Sequence, residues 1–300
     1  MKIIRANVLG YCMGVRRAVT SAEKALEKAS SGRVFTLGPL IHNPTALKAL
    51  SERGLQVLEK DGIADLNEND TVIIRAHGVP PALERELKAK GVNIINATCP
   101  RVVISQKRAA EYVRQGFTVI LAGDKNHGEV TGIAGYAQEA SCGAQDFFYL
   151  VENRNDTVQL IQSGALTGKK IILLSQTTFS PTEFEAISAE LQNAQAESVE
   201  VFNTICPATR ERQEALSALA SEVDGIVVIG GKASANTKRL FLSAQQLCKN
   251  VAYIESADEL PNDFATLKTV GITAGASTPD SVIEEVEKRL LQCSALSAEK

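Results

Sequence analysis

Cysteines at positions 12, 99 and 206 divide this 300-residue chain into stretches that repeat one pattern. Cys12 lies in GYCMGVRRAV, Cys99 in NATCPRVV and Cys206 in NTICPATR. Each precedes a helix-like stretch and then a short apolar strand: VFTLG at 34–38, TVILAG at 118–123 and IVVIGG at 226–231. A polar loop follows, holding His42, His127, or Ser234 with Asn236. A later strand runs into a second polar cluster at His77 (VIIRAHGVP), Thr177 (IILLSQTTFSP) or Ser277 (VGITAGASTP). The offset from cysteine to first polar position is 30, 28 and 28 residues, and to the second it is 65, 78 and 71. A pattern written three times implies three similar units about a pseudo-threefold axis. On that axis three thiols, three histidines and several hydroxyls would converge.

The runs TVIIR (71–75), TVILA (118–122), KIILLS (170–175) and GIVVIG (225–230) are short and β-branched, as strands buried on both faces of a parallel sheet are. Helical patterns alternate with them at 15–29, 81–91, 182–194 and 281–293, with Gly91 placed to stop one helix and Asn93 to begin the next strand. This alternation predicts an α/β fold with mostly parallel sheets and right-handed crossovers. The expected units are 13–97, 98–204, and 205–300 together with 1–12. GVPP, FSP and STPD each place a proline just after a polar cluster, at a helix start. Ligands of open α/β sheets bind beyond the carboxyl ends of the strands, where all these clusters fall.

The 32 basic and 35 acidic residues leave a formal charge of −3, so no basic field for nucleic acid or an anionic membrane exists. No run of about 18 apolar residues suggests a membrane span, and MKIIRANVLG lacks a signal-peptide layout. A soluble cytoplasmic protein is expected, in which cysteines serve metals or catalysis more often than disulfides. A thiol at a helix N-terminus is stabilised as the metal-binding thiolate. Three such thiolates can hold zinc with one open position, or a cubane iron–sulfur cluster with one iron lacking a protein ligand. An open iron can act as a Lewis acid and also pass electrons; the thiols alone leave both metals possible. Cys142, Cys248 and Cys293 match no repeat position and read as structural.

All three histidines of the chain, His42, His77 and His127, fall in the converging loops. With Ser234, Asn236, Thr177 and Ser277, and with amides at helix N-termini, they form a donor-rich pocket for a phosphate or diphosphate. GxxxxGK[ST] is absent, which argues against a standard NTPase, and GGKASANTKR fails the dinucleotide-binding glycine spacing. Glu129, two residues after His127 in the loop NHGEV, could donate a proton to a leaving oxygen. Asp124 and Lys125 read as solvated.

The motifs GYCMGVRRAV, GPLIHNP, RAHGVPP, NATCP, HGEV, SQTT, CPATRERQEA, SANTKRL and GITAGASTP occur in this order across nearly the whole chain. The ordered set resembles the 4-hydroxy-3-methylbut-2-enyl diphosphate reductase family of the non-mevalonate isoprenoid pathway. The resemblance implies three α/β units around a central [4Fe–4S] cluster held by Cys12, Cys99 and Cys206. It implies diphosphate binding by His42, His77, His127, Ser234, Asn236 and Ser277. Thr177 would meet the substrate hydroxyl region and Glu129 would supply protons, so that Glu129, Thr177 and His127 form the catalytic group. The implied reaction is reductive dehydroxylation to isopentenyl and dimethylallyl diphosphate, with electrons from a ferredoxin or flavodoxin. Three positions depart from common family patterns: Ala235 replaces a frequent second serine, Asn96 a frequent aspartate, and Arg101-Val-Val follows the proline of NATCP. A zinc hydrolase acting on a phosphorylated metabolite and an iron–sulfur sensor are the competing functions.

Overall fold

The computed structural model describes residues 1–29 and 32–298, so residues 30 and 31 of the expected first unit and the last two of the expected third unit lie outside it. Among the described residues, twelve strands form three four-stranded sheets. The first contains β2 (Val34–Leu37), β3 (Leu55–Leu58), β4 (Thr71–Ile74) and β5 (Asn93–Asn96), in the order β3-β2-β4-β5. The second contains β6 (Thr118–Ala122), β7 (Phe148–Val151), β8 (Lys170–Ser175) and β9 (Ser198–Val201), in the order β7-β6-β8-β9. The third joins β1 (Lys2–Arg5) to β10 (Gly225–Ile229), β11 (Asn250–Ile254) and β12 (Thr269–Ala274), in the order β1-β12-β10-β11.

These three orders are one order. In each, the two strands that run into the polar clusters pair centrally and in parallel: β2 with β4, β6 with β8, β10 with β12. In each, the strand leading into a cysteine pairs in parallel beside the second of them: β5, β9 and β1. The chain leaves the first central strand toward one edge and returns on its other side, which opens a crevice at the carboxyl ends of the central pair. The central strands are apolar and buried along nearly their whole length, whereas β1, β5 and β9 share the pattern exposed, half-buried, half-buried, exposed. Periodicity therefore reveals the central strands and hides those at the edges.

By packing, the chain forms two compact units. One comprises Met1–Leu26, Pro39–Leu55 and Pro207–Lys300. It holds the third sheet with α2 (Pro44–Glu52), α8 (Pro207–Ala220), α9 (Ala235–Leu247), α10 (Asp280–Ala298) and most of α1 (Met13–Lys28). Val227, Ile229, Val270 and Ile272 face Val282, Ile283, Val286 and Leu290 of α10, while Ile226 and Val228 pack with Leu216 of α8 and Leu240 of α9. Adjacent strand residues thus serve opposite helical layers.

The other unit comprises Glu27–Gly38 and Gln56–Cys206. It holds the first two sheets with α3 (Pro81–Ala89), α4 (Pro100–Arg114), α5 (Gly128–Ala140), α6 (Arg154–Gln162) and α7 (Pro181–Gln192). Val119, Leu121, Ile172 and Leu174 pack on Ala109 and Val113 of α4 and Ile133 and Ala137 of α5; Ile120, Ile171 and Leu173 pack on Phe184, Ile187 and Leu191 of α7. Each such buried valine, leucine, isoleucine or phenylalanine contributes about 1.5–3 kcal/mol. The expected prolines open helices: Pro81 begins α3 and Pro181 begins α7, where the missing N–H costs nothing. Gly91, at φ +71, ends the turn after α3. Among the described residues no helix is long and apolar enough to cross a membrane.

Candidate active site

Each repeat cysteine is the joint between an edge strand and a helix. Cys12 lies between β1 and α1, Cys99 between β5 and α4, and Cys206 between β9 and α8. Their backbones are anchored alike. The N–H of Cys12 donates to Ala276 O at 3.1 Å, that of Cys99 to Ala76 O at 2.9 Å and that of Cys206 to Thr177 O at 2.8 Å. The acceptors immediately precede Ser277 and His77, or are Thr177 itself, so each thiol is tied to the second polar cluster of a sheet. In the sequence pattern the cysteine opens a copy; in the fold it also closes the sheet before it. Asn96 Oδ1 accepts from Thr98 N at 3.0 Å, and Asn203 Oδ1 accepts from Ile205 N at 3.1 Å, shaping the same turn before Cys99 and Cys206. A carboxylate oxygen would accept that bond equally well, so asparagine at 96 preserves the turn.

All three thiols are half-buried and outside any disulfide. Three soft sulfur donors, each at a helix start, fit a thiolate-held metal or iron–sulfur group. Of the remaining cysteines, Cys142 is exposed with φ +50, and Cys248 ends α9 with its thiol directed toward the carbonyls of Asp224 and Asn250.

In the unit holding the first two sheets, His127 is the N-cap of α5, its Nδ1 accepting from Glu129 N at 3.2 Å. That bond places the proton of the neutral ring on Nε2, leaving Nε2–H as a donor. The His77 ring meets that of His127 edge-on, with centroids 5.1 Å apart. Glu129 stands in the first turn of α5 and not in a loop, and it is 1% exposed. Its Oε1 accepts from Thr177 N at 2.8 Å and its Oε2 from Thr177 Oγ1 at 2.7 Å. Burial pushes the Glu129 carboxyl up to about 7; the Thr177 hydrogen bonds oppose the rise and the charge of Asp124 adds to it. Asp124 is itself half-buried, accepting from Gln176 Nε2 at 3.0 Å, which corrects the expectation of a solvated side chain. Lys125 is exposed as expected.

In the unit holding the third sheet, Ser234 caps α9 and accepts from Thr237 N at 3.3 Å. Ala235 is the first residue of α9, so its backbone N–H lacks an intrahelical acceptor where the serine hydroxyl is missing. Asn236 is 5% exposed, and its Nδ2 has no hydrogen-bond partner among the described residues. Ser277 Oγ donates to His42 O at 3.1 Å, joining two of the expected residues. The His42 carbonyl also sits where a Cβ on Gly231 would stand, so only glycine lets the 38–43 loop seat against the end of β10.

Two functional candidates escape sequence reasoning because both are arginines in otherwise helical or strand-end patterns. Arg212 of α8 is 2% exposed, with Nη2 donating to Gly10 O at 2.6 Å and Nη1 to Ala208 O at 2.7 Å. It braces the loop that carries Cys12 against the first turn of α8. Arg75, at the end of β4, has its guanidinium against Gly38 and Gly128. Arg101 is exposed in the first turn of α4, and nothing in the structure explains its departure from the family pattern.

The LytB protein family matches residues 3–291. A 4-hydroxy-3-methylbut-2-enyl diphosphate reductase of Treponema denticola is 43% identical over 297 residues, covering 97% of this chain and 100% of its own length. The protein of the same name from Aquifex aeolicus is 43% identical over 289 residues, covering 96% of this chain and 95% of its own. A solved structure of (E)-4-hydroxy-3-methyl-but-2-enyl diphosphate reductase, described as the terminal enzyme of the non-mevalonate pathway, superposes with TM-score 0.72 at 39% identity, covering 97% of this chain and 100% of that one. That of the E-1-hydroxy-2-methyl-but-2-enyl-4-diphosphate reductase from Plasmodium falciparum superposes with TM-score 0.83 at 26% identity, covering 97% and 87%. With nearly full-length matches in both sequence and fold, the chain belongs to the LytB family of iron–sulfur reductases.

Proposed function

We propose that this chain reduces (E)-4-hydroxy-3-methylbut-2-enyl diphosphate to isopentenyl and dimethylallyl diphosphate, taking up two electrons and two protons and releasing water. The buried Glu129–Thr177 pair carries the reading, with relatives at 43% identity that bear the name of this reductase. A [4Fe–4S] cluster held by Cys12, Cys99 and Cys206 would supply the electrons and, through an iron without a protein ligand, Lewis acidity toward the substrate hydroxyl. His42, His77, His127, Ser234, Asn236 and Ser277 would hold the diphosphate.

The geometry supports a proton path. A carboxyl with a pKa of about 7 is protonated in a large fraction of molecules at neutral pH. When protonated, Glu129 can donate from Oε2 to Thr177 Oγ1 across the same 2.7 Å, and the threonine hydroxyl can pass its own proton to the departing oxygen. The threonine amide holds the other carboxylate oxygen and fixes the direction of transfer. His127, with Nδ1 occupied, presents Nε2–H as a donor to the anion. Buried donors such as Asn236 Nδ2, without a partner among the described residues, suit an anion that arrives with acceptors.

A ferredoxin or flavodoxin would deliver electrons, and a cytoplasmic location fits such a partner. Anaerobic purification with iron and sulfide analysis, followed by turnover of the diphosphate substrate with a chemical reductant, tests the function. Iron with sulfide in roughly equal amounts and reductive turnover are expected; zinc without sulfide, or no turnover, would overturn it.

A further inference from the structure

The residues proposed to hold the diphosphate are histidine, serine, threonine and asparagine. A single phosphate ester carries a charge of about −1.5 to −2 at pH 7, and a diphosphate carries more. None of those side chains is a permanent cation to set against that charge.

Arg75 lies two residues before His77 and is the one cation of the second polar cluster of the first sheet. Its side chain is half-buried, and its Nε is enclosed without a hydrogen-bond partner. Among the described residues no hydrogen bond or ion pair engages the Arg75 side chain; the carboxylate whose field reaches it belongs to the exposed Glu59. Burial accordingly lowers its pKa, opposed by that distant charge.

The seat of the guanidinium is built by two glycines. A Cβ on Gly38 would stand 3.0 Å from Nη1, and one on Gly128 would stand 2.9 Å from Cζ. Gly128 is the first residue of α5, between His127 and Glu129. A cation therefore sits against a helix N-terminus, whose own partial charge is positive. Two positive groups side by side, one with an unsatisfied donor, are unfavourable until an anion lies between them. A guanidinium recruited only to stabilise the fold would face a carboxylate or a helix C-terminus.

We propose that Arg75 is a substrate-binding residue, its guanidinium neutralising part of the diphosphate charge beside the N-terminus of α5. This rests on the diphosphate reading above and adds to it the charged member of the site.

The test is titration of inorganic pyrophosphate into anaerobically purified holoenzyme, comparing wild type with Arg75→Met, Arg75→Lys and Asn236→Ala. Arg75→Met should weaken binding about 10- to 100-fold, as loss of a charge-assisted contact does, while Arg75→Lys should recover most of it. The ligand-free melting temperature of Arg75→Met should equal or exceed that of wild type, because an uncompensated buried charge has been removed. In turnover, the same variant should raise KM more than it lowers kcat. Undiminished pyrophosphate binding by Arg75→Met overturns the inference. So does a variant that melts lower and binds weakly while Arg75→Lys recovers neither property, since that marks a packing residue. Wild type that takes no pyrophosphate would overturn the diphosphate reading as well; Asn236→Ala binding weakly beside a normal Arg75→Met would overturn only the assignment of Arg75.

Discussion

The second and third sheets place their polar clusters at equivalent strand ends, yet the clusters differ in chemistry. After β6 and β8 stand His127, Glu129 and Thr177, including a sealed carboxyl with a pKa near neutrality. After β10 and β12 stand Ser234, Asn236 and Ser277, which carry no titratable group. Both first clusters cap a helix, α5 through His127 and α9 through Ser234, so the backbone problem is solved twice by different side chains. The topology fixes where a functional residue can stand. On the proposed function, side-chain identity then divides the labour, with proton delivery on the second sheet and passive anion binding on the third.

Glu129→Gln should break this division most severely. The amide keeps the volume and can still accept from Thr177, but it has no proton to give, so turnover should fall about 10²–10⁴-fold with the cluster spectrum unchanged. Near wild-type turnover would remove the distinction between the two sheets.

The pH dependence of stability sharpens the same contrast. The ordinary value for this carboxyl is 4.5 and its value in the fold is about 7. Between them the folded chain holds a proton that the unfolded chain has released. The contribution is therefore present below pH 4.5, is lost as pH rises through 7, and amounts to about 3 kcal/mol for a single buried group. Denaturant unfolding at pH 5 and pH 8 should show that difference in wild type and lose it in Glu129→Gln, while Asn236→Ala keeps it.

Gly231→Ala should destabilise the third-sheet unit by about 1–3 kcal/mol, because the new methyl meets the His42 carbonyl and one of the two must shift. Thermal unfolding measures the loss. Equal stability would show that the 38–43 loop yields freely. Asn236→Ala is the gentlest change: it removes a buried donor that lacks a partner, so ligand-free stability should change by no more than about 1 kcal/mol while pyrophosphate affinity falls about 10-fold. An unaltered affinity would take Asn236 out of the site.

Much of the fold was legible because burial imposes composition. TVILA, KIILLS and GIVVI are apolar at every position since both faces of a central parallel strand are covered, and such runs stand out in a sequence. The edge strands KIIR, NIIN and SVEV were harder to see because their ends are solvated. The cysteines, histidines and hydroxyls were legible through their spacing, which the repeat preserves. The environment of Glu129 was not: HGEV could have been a loop, and only the packing of α5 seals the carboxyl and delivers Thr177 from 48 residues away. Arg75 was hidden for the same reason, since its significance lies in Gly38 and Gly128, both distant in the chain.

By itself, then, the sequence determined the alternation of strands and helices, the threefold repeat, and the placement of the candidate cysteines, histidines and hydroxyls beyond the strand ends. These depend on hydrophobic period and spacing, which are local properties of the chain. Only tertiary structure decided that each cysteine is tied by its amide to a second polar cluster, that Glu129 is buried against Thr177, and that the Arg75 guanidinium sits between two glycines. Desolvation and hydrogen bonding between remote segments set those states, and no stretch of sequence read alone contains both partners.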